Sequence, residues 1–389
     1  MTTTATIPNP GAGKATNPLK GLLDFGQSPW MDYIRRDLLT GGELKKLIDQ
    51  DGLRGMTSNP SIFAKAISGS KDYSDLLESP GAKTLNATQL YEQIAVRDVQ
   101  DAADIFKPVY ESTKRRDGYV SLEVSPTLAL EMQKTLDEAR RLWKAVGREN
   151  VMIKVPGTKE GIPAIRQLLE EGVNINITLL FAQSAYEQVA EAFISALEAR
   201  AAKGQDISHI ASVASFFVSR IDTMVDSLID EKLQASPAPE QKLLLESLRG
   251  KIAIANAKLT YRKYQELFSS PRWKALAAKG AQTQRLLWAS TSTKNKAFRD
   301  VLYVEELIGA ETVDTIPPAT FDAFRDHGKL RASLTENVDQ AAKIMADLEK
   351  AGLSMKEVTA KLLTDGVKLF ADAFTELLEA TGKSAGVRA

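Results

Sequence analysis

Eight short runs of apolar and β-branched residues recur along this chain, and longer segments with helical spacing separate them. They lie at 28–34, 53–58, 118–124, 150–155, 173–178, 209–215, 285–290 and 311–316. Strands that alternate with helices pair in parallel, because a crossover helix returns the chain to the starting end of the sheet. Eight such units predict an α/β fold, a (β/α)8 TIM barrel. The alternative is an open doubly wound sheet, which calls for a glycine-rich phosphate loop early in the chain. The sequence has none there.

Two intervals are too long for simple crossovers. Residues 61–117 and 221–283 read as helical insertions after the second and sixth strands, and 335–380 as two or three further helices. The expectation is one barrel domain over 20–382, with 1–19 a disordered leader and 383–389 a flexible tail. Thr40 and Glu43 have the spacing of a capping box for a helix over 40–48. A second helix is expected over 127–146, with Leu128, Leu136 and Leu142 near one face. A third, over 181–204, ends on Gly204.

Composition excludes several chemistries. The chain has no cysteine, so disulfides, thiolate nucleophiles and cysteine-held metals are ruled out. Its only histidines, His209 and His327, make a histidine-rich metal site or a Ser-His-Asp triad a poor expectation. Lys+Arg and Asp+Glu each total 50, so no net charge favours nucleic acid or an anionic membrane as partner. No stretch is long and apolar enough to span a bilayer, and a cytoplasmic protein is expected.

The run "VMIKVPGT" (151–158) places a lysine inside a buried strand. Lysine is almost never fully buried without a partner. The bland reading is a lysine near the strand end whose stem carries its amine out to water. Side chains alternate between the two faces of a strand. Val151, Ile153 and Val155 share one face, and Lys154 lies opposite with Met152. In "VNINIT" the opposite face holds Asn174, Asn176 and Thr178. In "YVSLEV" it holds Ser121 and Glu123, and in "SPWMDYI" Asp32 lies with Trp30. The outer face of a barrel strand packs on helices and must be apolar. Lys154, Glu123, Asn176, Thr178 and Asp32 are therefore expected to converge inside, near the C-terminal mouth. Each taken singly reads as an ordinary satisfied polar residue. Together they are two carboxyl groups around a lysine, which is an acid/base set about a nucleophile.

The stretches "GMTSNPSIF" (55–63), "MIKVPGTKEGIPAI" (152–165), "EEGVNINITLLFA" (170–182) and "ASFFVSRID" (214–222) resemble the transaldolase family. "WASTSTKNK" (288–296) and "VLYVEELIGAETVDTIPPAT" (301–320) are similar to its longer bacterial subgroup. The resemblance covers most of 28–330. It implies transfer of a dihydroxyacetone unit from a ketose phosphate to an aldose phosphate in the non-oxidative pentose phosphate pathway. It implies a lysine Schiff base with no metal or organic cofactor. By position it makes Lys154 the Schiff-base lysine and Asp32 and Glu123 the acid/base carboxyls, with Thr178 holding a water for Glu123. Asn59, Asn176 and Ser215 would line the pocket, and Arg220 would bind the phosphate. The family's second phosphate arginine has no counterpart in "STSTKN" (290–295), where Ser292 and Lys294 are the nearest candidates. Expected partners are sugar phosphates, and the expected assembly is a monomer or homodimer. Two other readings remain. One is a fructose-6-phosphate aldolase that releases free dihydroxyacetone, against which Phe217 brings no hydroxyl to the pocket. The other is a non-catalytic sugar-phosphate-binding barrel.

Overall fold

The computed structural model describes residues 17–387. Eight parallel strands close into a barrel in sequence order, with β1 paired to both β2 and β8. The strands are β1 Gln27–Asp32, β2 Gly55–Thr57, β3 Tyr119–Glu123, β4 Val151–Pro156, β5 Ile175–Leu180, β6 Ser212–Phe217, β7 Arg285–Ala289 and β8 Thr312–Ile316. All eight expected runs are strands, with ends displaced by up to three residues. The outer faces are apolar: Val151, Ile153 and Val155 have no exposed surface. The interior is filled rather than open. The Trp30 ring lies where a Cβ on Gly55 would stand, 2.5 Å from that position, so β2 needs a glycine opposite it.

A network of buried polar groups plugs the floor. Arg285 donates to Ser28 Oγ (2.7 Å), Asp117 Oδ1 (2.8 Å) and the Arg116 carbonyl (2.5 Å). Ser28 and Trp30 also donate to Asp117.

The insertions fall where expected. Helices Pro60–Gly69, Ser74–Leu77 and Ala87–Ser112 separate β2 from β3, and four helices from Ser219–Gln234 to Pro271–Ala277 separate β6 from β7. After β8 come Pro318–His327, Val338–Lys350 and a 31-residue helix, Met355–Ala385. This last helix packs on Pro60–Gly69 and Ala87–Ser112 and crosses the mouth. No helix among the described residues is long and apolar enough to cross a membrane.

Several local expectations need correction. Thr40 ends the helix Arg36–Thr40 and donates back to the Arg36 carbonyl, while Gly42, in the left-handed region, precedes the helix Glu43–Asp51. No capping box forms there. One does form at Asn86 and Gln89, opening Ala87–Ser112. The helix expected from 127 begins at Met132. Upstream, the carbonyls of Leu128 and Ala129 take hydrogen bonds from Thr135 and Thr158, so side chains replace the helical turn. Gln183–Ala202 ends as expected, with Gly204 at φ +69°. Asn17 caps a short helix Pro18–Gly21 inside the stretch read as leader, and 1–16 lie outside the described residues. The final helix runs to Ala385, into the stretch read as tail, and 388–389 lie outside the described residues.

Candidate active site

Strand register builds the site. Glu123 on β3 is the Cα partner of Lys154 on β4, and Lys154 is the partner of Asn176 on β5. One step higher, Pro156 pairs with Thr178. Parallel neighbours point the same way, so these polar groups share one interior layer at the C-terminal ends. Asp32, the last residue of β1, pairs with Thr57 of β2.

Lys154 is buried. Its amine lies 3.2 Å from Glu123 Oε2 and donates to the Ser58 carbonyl at 3.3 Å. Its stem does not lead the amine to water. Glu123 Oε1 and Thr178 Oγ1, both buried, have no protein hydrogen-bond partner among the described residues. Asp32 accepts from Thr57 Oγ1 (2.8 Å), which also meets Thr315 Oγ1 at 2.6 Å. Burial raises the Asp32 carboxyl above its ordinary value, opposed by Lys154, the Thr57 hydrogen bond and Arg220. Burial raises Glu123 as well, against the pull of Lys154. Desolvation disfavours the charged form of both acids, and the nearby cations return only part of that cost.

A cavity of about 490 Å³ opens over this layer. Asp32, Asn59, Lys154, Thr178, Ser215, Phe217, Arg220, Ser292 and Lys294 all reach its wall. Asn59 caps the helix Pro60–Gly69 through its side-chain carbonyl, 3.1 Å from the Ile62 amide. Its NH2 group remains for another partner. Asn176 sits behind the wall. It donates to Ser121 Oγ (3.0 Å) and accepts from Ser215 Oγ (2.6 Å). Glu123 is likewise reached through Lys154 rather than from the open cavity. Arg220 is half-buried and makes no side-chain hydrogen bond or ion pair among the described residues. Its guanidinium carbon lies 5.4 Å from the Phe217 ring and 5.9 Å from the Phe370 ring. Burial pulls the guanidinium below its ordinary value, while Asp32 works the other way. Past the end of β7, Lys294 donates to Ser292 Oγ at 2.7 Å. No cluster of three or more metal-ligating side chains occurs among the described residues.

Some cavity residues escape the sequence reading. Thr57 and Thr315 support Asp32 from its two neighbouring strands. Leu369, Phe370 and Ala373 come from the final helix. Phe370 and Phe374 sit four residues apart, which signals one helical face but not the surface beneath it.

The barrel and its mouth define a class of enzyme: a (β/α)8 protein with a buried lysine between two carboxyl groups. The model of the family described as Transaldolase/Fructose-6-phosphate aldolase matches residues 29–381, and this chain belongs to that family. A transaldolase of Trichodesmium erythraeum is 49% identical over 93% of this chain and 96% of its own. One from Thiobacillus denitrificans is 44% identical over 94% of this chain and 100% of its own. A protein named transaldolase 2 from Nostoc punctiforme is 46% identical over 94% and 96%.

Proposed function

We propose that this enzyme transfers a dihydroxyacetone unit from fructose 6-phosphate or sedoheptulose 7-phosphate to an aldose phosphate, glyceraldehyde 3-phosphate or erythrose 4-phosphate. The observation that carries the reading is the buried Lys154 amine, 3.2 Å from Glu123 and in the same cavity as Asp32. As a free amine, Lys154 attacks the ketone carbon of the donor to give a carbinolamine. Glu123, acting through a water held at Thr178, supplies the proton that lets hydroxide leave as water, and an iminium forms. Asp32 takes the proton from the C4 hydroxyl, and its raised affinity for protons suits it to this task. The C3–C4 bond breaks, its electrons pass into the iminium, and the aldose phosphate departs. The acceptor aldehyde then adds to the same carbon and recovers the proton from Asp32. Water releases the new ketose and restores the Lys154 amine. Arg220 holds the phosphate as a fork, and Lys294 with Ser292 offers a weaker second contact. The iminium is the electron sink, so these steps need no metal or organic cofactor. With this reading go a role in the non-oxidative pentose phosphate pathway and, as part of the same proposal, a cytoplasmic location and a monomeric or homodimeric assembly.

The family also contains aldolases that release the three-carbon unit. Phe217, buried at the cavity wall, favours transfer, since its ring offers no proton to the carbanion. The test is borohydride reduction in the presence of fructose 6-phosphate, followed by peptide mass spectrometry. A dihydroxyacetone-sized adduct on the Lys154 peptide is expected. An adduct on another lysine, or none, overturns the reading.

A further inference from the structure

The final helix, Met355–Ala385, brings an aromatic ring directly over the chemistry. Phe370 is buried, and its ring centre lies 5.4 Å from Lys154 Nζ and 5.9 Å from the Arg220 guanidinium carbon. With the Phe217 ring at 5.4 Å, Arg220 has two aromatic neighbours. Its N–H groups meet no protein acceptor within hydrogen-bond distance among the described residues. A guanidinium placed against ring faces keeps its donors free for a ligand.

The placement of Phe370 is built in. β5 has a register shift between Ile177 and Leu180, and Leu179 adopts φ +62°, a strained conformation for a leucine. That irregularity adjoins Thr178 at the cavity wall. Leu179 meets the final helix at Gly366, where a Cβ would lie only 3.1 Å from its Cδ2. Gly366 is one helical turn before Phe370. The strained bulge and the glycine together set the height at which the helix carries Phe370 across the mouth.

We propose that Phe370 is a positioning residue that holds Arg220 in place to grip the phosphate of the donor, and so favours phosphorylated over unphosphorylated ketoses. This rests on the site read above as a Schiff-base centre. The test compares fructose 6-phosphate with free dihydroxyacetone as donors to one acceptor, in the parent and in Phe370→Leu, Phe370→Tyr and Gly366→Ala. Phe370→Leu should raise KM for fructose 6-phosphate about five- to tenfold, as loss of a partly desolvated cation–π contact implies, and change KM for dihydroxyacetone less than about twofold. Phe370→Tyr, which keeps the ring, should stay within about twofold of the parent for both. Gly366→Ala should move KM in the same direction as the leucine variant, by less. Equal loss with both donors in Phe370→Leu, or no rise with either, overturns the proposal. Borohydride trapping on the parent separates the two failures. If the parent forms no adduct on Lys154, the reading of the site is wrong. If it does and the donor split is missing, only the role of Phe370 is wrong.

Discussion

The barrel holds a buried cluster of charge at each end. At the floor, Arg285 and Asp117 have side chains 4% and 9% exposed; at the mouth, Lys154 and Glu123 are 6% and 3% exposed. Burial does not tell them apart. Partners do. Arg285 spends its donors on Ser28, Asp117 and the Arg116 carbonyl, and both Asp117 oxygens accept. Among the described residues, Glu123 Oε1 and Thr178 Oγ1 at the mouth have no protein partner, and Arg220 rests against rings alone. A satisfied buried network fixes one structure, whereas a partly satisfied one is held ready for a ligand at a cost in stability.

The sharpest way to break this contrast is to replace one cationic residue at each end. Lys154→Arg keeps charge and approximate bulk but cannot present a free amine. Turnover of fructose 6-phosphate should fall on the order of 10³–10⁶-fold, as for other lost nucleophiles, with the thermal midpoint little changed. Arg285→Met should do the reverse. It leaves Asp117 buried without its cation, at a cost of about 3–5 kcal/mol in a urea titration, while kcat/KM of the folded fraction holds. Surviving turnover in the first variant would remove Lys154 from the chemistry. Lost turnover without lost stability in the second would make the floor part of the site.

A second test asks whether Arg220, which rests against rings, behaves differently from the fully bonded Arg285, with Lys294 as the weaker phosphate candidate. Arg220→Ala should raise KM for fructose 6-phosphate by roughly 10- to 150-fold, the range of about 1.5–3 kcal/mol for a hydrogen bond to a charged group. Free dihydroxyacetone as donor should be affected far less. Lys294→Ala should show the same pattern at about tenfold or less, because an ammonium on a flexible stem makes no fork. If Arg220→Ala harms both donors alike, Arg220 is structural and resembles Arg285 after all.

The two ends were not equally legible. Period-two alternation puts Glu123 and Lys154 on interior faces, because Val120, Leu122 and Val124 beside the one and Val151, Ile153 and Val155 beside the other must face helices, and it puts Asp32 with Trp30 in the same way. That logic needs only a few residues of local sequence. The floor pairs Arg285 with Asp117, 168 positions apart, a contact set by barrel closure and by no local pattern. The roof was hidden for a related reason. The spacing of Phe370 and Phe374 marks a helical face, but the mouth it covers is built from strand ends spread along the chain from Asp32 to Thr315, none of them near it in sequence. The misplaced cap at Thr40 has a different cause. Gly41 and Gly42 let the chain turn between two short helices, and the threonine closes the first instead of opening the second.

The smallest expected effect is also the one whose sign is most telling. Burial holds the Asp32 carboxyl above its ordinary value of 3.8. In the interval between 3.8 and the raised value the folded state binds more proton than the unfolded state, so stability falls as pH rises through that interval. Above the interval the ionised carboxyl is a fixed penalty. Asp32→Asn removes the charge and keeps the shape. The variant should match the parent below the ordinary value, gain on it as pH rises, and end about 0.5–2 kcal/mol more stable at neutral pH, the usual size of a single stabilising substitution. Its kcat should fall, because an amide cannot take the C4 proton. Asp117→Asn at the floor should instead lose about 1–3 kcal/mol near neutrality, since it weakens satisfied bonds to Ser28, Arg285 and Trp30. Urea midpoints of parent and both variants across pH decide the matter. If both variants lose stability near neutrality, the buried Asp32 carboxyl carries no cost, and the distinction between the two ends fails.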